Sequence, residues 1–284
     1  MPSRTAGPVE LLVAGCPFCE GPAFDRDGNL CLVNWDTSQI RCLTPAGGLD
    51  EIHRTGGIPA GLAFHPDGSL WIADEGESLH GLLRLTADGE QTVMADEYDG
   101  QPLNGANDLV FDRFGTCYFS DPWGSGPDKP TGAFYRRFSD GRLERLDTGL
   151  KFSNGVALDA EETAVYLAET YEHRILRYPI YGGGDVGDRS VWYAGDESFK
   201  PDGMAFDADG YLHVAVYGAS RIDILDPDVA VVEAIPIPGP NVTNCAFGGP
   251  DNRTLVVTEI ETESVYRVEM TTAGQPLNDG RPRR

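Results

Sequence analysis

Lysine is nearly missing from this chain. Among 284 residues, 22 are Lys or Arg and 45 are Asp or Glu, a formal net charge of -23 at pH 7, and Lys129, Lys151 and Lys200 are the only lysines. So acidic a surface repels phosphate, which excludes nucleic acid and anionic membrane as default partners. It also raises the local cation concentration, although solubility alone explains it equally well. No stretch approaches the roughly 20 apolar residues of a membrane span. The opening MPSRTAGPVELLVAG lacks the apolar core of a signal peptide, so a cytoplasmic protein is expected. Cys16, Cys19, Cys31, Cys42, Cys117 and Cys245 are scattered over a long chain, which is no disulfide framework. Cys16-Pro17-Phe18-Cys19 has the spacing of a redox pair or half a zinc site, but neither a βαβ setting nor a second pair accompanies it. Cys31 and Cys42 can face each other across a hairpin turning at Asp36-Thr37, and reduced packing cysteines are expected there. His53, His65, His80, His173 and His213 sit beside no G-x-S-x-G elbow, which excludes a recognisable Ser-His-Asp arrangement.

Turn formers are plentiful instead: 35 Gly and 20 Pro, with 40% hydrophobic residues, suit many short strands. The cleanest unit is KPDGMAFDADGYLHVAVYGASRIDILDP, Lys200 to Pro227, in which alternating apolar runs are separated by Asp/Gly turns, the pattern of antiparallel hairpins. Aligned on Phe206, the chain repeats at Phe24, Phe64, Phe111, Leu158 and Phe247, with a period of 40 to 48 residues. A repeat of that length with about four strands marks a propeller blade, because one small sheet cannot bury both faces until neighbours stack on it. The expected fold is all-β, a six-bladed propeller occupying residues 1–284 as a single domain. The strands Val9 to Ala14 and Val265 to Met270 are expected to pair, closing the ring within one blade.

The residue four positions before each anchor begins the innermost strand, at one end of the central channel. Around the ring it is Glu20, Ala60, Asn107, Asn154, Asp202 and Thr243. Two carboxylates and two carboxamides therefore converge, an oxygen donor set for one hard divalent cation; Ca2+ is favoured, with Mg2+, Mn2+, Fe2+ or Zn2+ as alternatives. Turn formation alone also explains single Asn-Gly or Asp-Gly pairs, but all of these share one register. Ala60 and Thr243, small and neutral, leave a substrate room beside the cation. A further set, Asn34, Asp74, Asp121, Glu169, Val216 and Thr258, ends the second strands around the same mouth; for Asp74 and Glu169 holding turns is the preferred role. The irregular segment Asp121 to Phe134 is expected over the mouth, with Trp123 as a pocket wall.

The motifs Glu20-Gly21-Pro22, Asn107-Asp108-Leu109, Ser120-Asp121-Pro122-Trp123-Gly124, Ser153-Asn154-Gly155-Val156-Ala157 and Pro201-Asp202-Gly203-Met204 resemble the gluconolactonase and regucalcin (senescence marker protein) family, from Glu20 to about Met270. The resemblance implies a six-bladed propeller whose residues matching Glu20, Asn107, Asn154 and Asp202 hold a divalent metal, and a hydrolase of sugar lactones or related small lactones. One departure stands out: the regucalcin branch carries a substrate-contacting arginine two residues before its match to Asn107, where this chain has Gly105. The Asn-Asp and Asp-Pro pattern is closer to bacterial gluconolactonases. The expected chemistry is Lewis-acid activation of the lactone carbonyl with attack by water. Asp202 is the candidate general base and Asp121 the reserve; a water held by the cation is the other candidate nucleophile. The alternatives are a phosphotriesterase-like hydrolase, of the type of the related diisopropyl-fluorophosphatase, or another reaction on the same metal, and a non-catalytic calcium-binding propeller. A small-molecule substrate is expected as partner, and oligomeric state is not legible.

Overall fold

The computed structural model describes residues 3–44, 47–77 and 79–278. Six four-stranded antiparallel sheets follow one another along the chain and form the blades of a propeller. Blade 1 comprises Cys19–Phe24, Leu30–Asn34, Gln39–Leu43 and Leu49–Arg54; blade 2 comprises Pro59–Phe64, Leu70–Glu75, His80–Leu85 and Gln91–Ala95. Blade 3 comprises Leu109–Phe111, Cys117–Asp121, Gly132–Arg137 and Leu143–Leu150; blade 4, Ser153–Leu158, Ala164–Glu169, Arg174–Pro179 and Ser190–Ala194. Blade 5 comprises Pro201–Phe206, Leu212–Val216, Arg221–Leu225 and Val231–Pro236. Blade 6 takes Val242–Gly248, Thr254–Glu259 and Ser264–Glu269 from the end of the chain and its outer strand, Glu10–Ala14, from the beginning. That pairing closes the ring in the expected place and removes two sheet edges.

Local chemistry makes the hairpins. Where an Asp opens the inner turn it folds its carboxylate back on the chain: Asp207 accepts the N–H groups of Asp209 and Tyr211, both at 3.0 Å. Asp25 does the same for Asp27 and Asn29, and Asp112 for Phe114 and Thr116. Such Asx turns compete with continued strand and reverse the chain. Burial then follows the stacking of blades. Ile222 and Ile224 of blade 5 pack on Leu255 and Val257 of blade 6, and Val33 and Ile40 of blade 1 pack on Ile72 and Leu83 of blade 2. Each blade buries apolar side chains against the next, which is why the repeat must close before any single sheet is stable.

The six anchors, Phe24, Phe64, Phe111, Leu158, Phe206 and Phe247, line a cavity of about 110 Å³ in the channel. The segment after blade 6 crosses its far end: the Gln275 N–H donates to the Phe206 carbonyl at 3.0 Å, and its side-chain Nε2 to the Leu158 carbonyl at 3.1 Å. The opposite end, four residues back along each inner strand, is the mouth.

One sequence expectation is corrected here. Cys31 and Cys42 are not reduced packing cysteines; they form a disulfide between directly paired residues of adjacent strands, with Cα atoms 4.0 Å apart. Spacing in sequence allowed the encounter, but only strand register brings the two Cβ atoms together. Cys16 and Cys19 are free and fully buried side by side; the hydrogen bond from Cys19 lowers the Cys16 thiol to about 7, and the Cys19 thiol is raised by the same contact. Among the described residues no helix is long and apolar enough to cross a membrane.

Candidate functional site

Inner strands reach the channel mouth through bulges. The pairing register slips between Glu20 and Ala23, Pro59 and Gly61, Ser153 and Val156, Pro201 and Met204, and Val242 and Asn244, each time at the ring residue. A bulge leaves one residue unpaired and re-aims its side chain. It also lets neighbouring strands crowd together: a Cβ on Gly155 would lie 2.2 Å from the Asp202 carbonyl oxygen of the next blade. Only glycine permits that approach.

Glu20 and Asp202 sit half-buried at this mouth, and the Glu20 charge raises the proton affinity of Asp202. Burial pushes the Glu20 carboxyl up to about 7 against hydrogen bonds from Gly21 N–H, Thr243 and Asn244, with Asp108 adding repulsion. Gly21 donates at 2.8 Å. Asp202 is pushed well above the ordinary carboxylate range, by burial first and then by the charges of Glu20 and Asp108, while a hydrogen bond from Asn154 opposes the rise. Neither carboxylate is paired with a cationic side chain among the described residues.

The carboxamides are oriented by neighbours. Thr170 Oγ1 spends its proton on the Pro201 carbonyl at 2.8 Å, so it must accept from Asn154, whose Nδ2 lies 3.2 Å away. Asn107 donates from Nδ2 to Oε1 of Glu75 at 3.0 Å, and the other Glu75 oxygen accepts the indole N–H of Trp35 at 2.9 Å. Both amides therefore turn their nitrogen to the protein and leave Oδ1 for other partners. Burial lifts Glu75 to about 7, and its charge acts on Asp202. Glu20, Asn154 and Asp202 are thus in direct communication, and Asn107 joins them through Glu75.

Of the other expected residues, Asp121 is 1% exposed, and its oxygens are taken by the N–H groups of Gly105 at 2.7 Å and Asn104 at 3.0 Å. Asp74 receives Ile58 and Gly76 N–H, both on Oδ1, and Glu169 binds Lys151 N–H and the Arg174 guanidinium. These acids anchor the loops that lead into the inner strands. Thr243 is buried, bonded to Thr258 Oγ1 at 2.8 Å and to Glu20, so it holds a ligand candidate; Ala60 of blade 2 is buried, with its carbonyl oxygen against Gly21 of blade 1. Trp123 packs beside Trp35, ring centres 6.1 Å apart. A Cβ on Gly105 would meet Trp123 Cβ at 2.8 Å, at a φ of +144° that other residues rarely adopt.

Residue order did not reveal Glu75, Trp35, Thr170 or Asp108. The second strand of blade 2 ends one residue later than expected, at Glu75, and alternation turns Glu75 to the face opposite Asp74. Asp108 ties blade 3 to blade 4, accepting Val156 N–H at 2.7 Å; burial raises it to about 6. Among the described residues no three His, Cys, Asp or Glu side chains cluster as a metal site; here two of the four donors are amides.

The SMP-30/Gluconolactonase/LRE-like region family matches residues 18–261. The chain is 28% identical over 291 residues to diisopropyl-fluorophosphatase of Loligo vulgaris, covering 91% of each, and 28% identical over 300 residues to gluconolactonase of Zymomonas mobilis, covering 94% of this chain and 82% of the relative. Among solved structures, a calcium-binding regucalcin of Agrobacterium tumefaciens superimposes with TM-score 0.80 at 24% identity, covering 96% and 97% of the two chains. That last likeness speaks to the fold.

Proposed function

Because the chain belongs to the SMP-30/Gluconolactonase/LRE-like family, we propose that it is a lactonase, a hydrolase that opens a lactone ring with a divalent cation held by Glu20, Asn107, Asn154 and Asp202. The observation that carries this reading is that Glu20 and Asp202 share one register at the starts of their inner strands, where the Glu20 charge acts on Asp202 and no ion pair to either is found among the described residues. Carboxylate and amide oxygens without imidazole or thiolate fit a hard cation, Ca2+ first. Such an ion, when bound, supplies Lewis acidity at the carbonyl and neutralises charge on its oxygen.

The protein groups divide the remaining work. Asp202, pushed above the ordinary carboxylate range by burial and by the Glu20 charge, takes a proton from the attacking water and passes it to the departing ring oxygen, giving the hydroxy acid. Glu20 is fixed by Gly21, Thr243 and Asn244 and acts as a holder of charge. Both oxygens of Asp121 are occupied by backbone N–H groups, which leaves it without a base's function and makes it a support for the Gly105 turn. A lactone panel with and without chelator tests the reading: metal-dependent acid release supports it. Turnover of organophosphates alone would favour a phosphotriesterase-type reaction, the second reading, suggested by the resemblance to diisopropyl-fluorophosphatase. Retained metal with neither activity would mean a binding propeller.

A further inference from the structure

We propose that the mouth takes a lactone bearing a flat apolar substituent, an aryl group above all, rather than a polyhydroxylated one; this deepens and rests on the lactonase reading. Phe18 and Phe152 stand two residues before Glu20 and Asn154, in blades 1 and 4, which face each other across the ring of six. Both are in the left-handed region, at φ of 44° and 66°. That conformation costs a non-glycine residue about 1 kcal/mol or more, so a position needing only the turn would suit glycine better. Keeping a phenyl ring there, twice, points to the ring as what the position is for.

The two surroundings repeat one another. Trp35 N–H donates to the Phe18 carbonyl at 3.0 Å, and Thr170 N–H to the Phe152 carbonyl at 3.1 Å. Each phenyl ring also meets an aromatic from the 3-10 turn after the second strand. Trp35, opening Trp35–Thr37, stacks on Phe18 at 5.3 Å; Tyr171, within Thr170–Glu172, meets Phe152 edge-on at 5.7 Å. Phe18 and Tyr171 remain 41% and 40% exposed, so each pair keeps one ring open to solvent. In blade 3 the corresponding position is Gly105, where Trp123 fills the space a side chain would need. Lys200 occupies that register in blade 5, two residues before Asp202. Hydroxyl groups laid against the rings of Phe18, Phe152 and Trp35, whose N–H is already given to Glu75, would lose water without finding partners, whereas an aryl group gains stacking.

The test compares γ-phenyl-γ-butyrolactone with γ-butyrolactone, which share the reacting ring, and with D-glucono-δ-lactone. The wild type should prefer the phenyl lactone over both by about 10-fold or more in kcat/KM. Phe18→Gly and Phe152→Gly relax the left-handed backbone, so melting temperature should hold while the phenyl-to-unsubstituted ratio drops about 10-fold; Phe114→Gly, at a turn on the opposite end of blade 3, is the control for that ratio. A wild-type preference for the gluconolactone, or ratios unmoved by both variants, would overturn the inference and leave the lactonase reading standing. Failure to open any lactone would bring down both.

Discussion

The Glu75 carboxylate takes the Asn107 amide on one oxygen and the Trp35 indole on the other, at 3.0 and 2.9 Å, so one buried acid orients a candidate cation ligand and the Trp35 ring together. Glu75→Ala frees both. Calcium affinity, measured by titration calorimetry, should weaken about 10- to 100-fold, the usual cost of losing a partner that orients a ligand. Glu75→Gln, which keeps one acceptor, should fall between. Affinity unchanged in Glu75→Ala would show that Asn107 does not need this bond to face the channel.

Ligand and base roles separate at Asp202. Asp202→Asn and Glu20→Gln each remove one negative charge and keep an oxygen, so both should weaken cation binding to a similar degree. At saturating cation, only Asp202→Asn should lose a further factor of about 100 to 10,000 in turnover. Equal turnover in the two variants would reduce Asp202 to a holder of the ion.

Stability without cation should depend on pH in an unusual direction. Glu20 and Glu75 hold protons up to about 7 in the folded chain, and Asp108 up to about 6, against about 4 to 4.5 when unfolded. Between those limits these three carboxyls bind more protons in the folded state, so the stability they contribute is fully present below about pH 4 and falls as pH rises towards about 7. Excess calcium should counter the fall, because deprotonated ligands bind it best. Thermal melts of chelated and calcium-loaded protein would show the gap widening from about pH 5 to about pH 8; a gap that stays constant would mean these carboxylates do not bind the ion.

Gly155→Ala would drive a Cβ against the Asp202 carbonyl oxygen, 2.2 Å away. Relaxing that clash requires two inner strands to separate, at about 1 to 3 kcal/mol, and moves Asp202 as well. Denaturant melts should show the loss, and calcium affinity should drop with it. Gly182→Ala, with no atom within 4 Å of the new Cβ, is the control that should change neither.

Much of this was legible in residue order. Apolar alternation, Asp-based turns and a period of 40 to 48 residues depend on neighbours in sequence, and they led to the blades, the closure by Glu10–Ala14 and the shared register of Glu20, Asn107, Asn154 and Asp202. The preferred turn-holding role of Asp74 and Glu169 was legible for the same reason: each bonds backbone within its own blade.

Side chains that meet across blades were not legible. Glu75 reaches Trp35 in blade 1 and Asn107 beside blade 3, 40 and 32 residues away, and Asp108 caps Val156 48 residues on. Cys31 and Cys42 meet only because their strands pair in that register. By itself the sequence determined which residues alternate and where the chain turns, since both are set by steric and hydrogen-bonding preferences a few residues long. The tertiary structure decided which of those residues share the channel mouth, because that depends on how closely six sheets pack around one axis, a distance that no local pattern encodes.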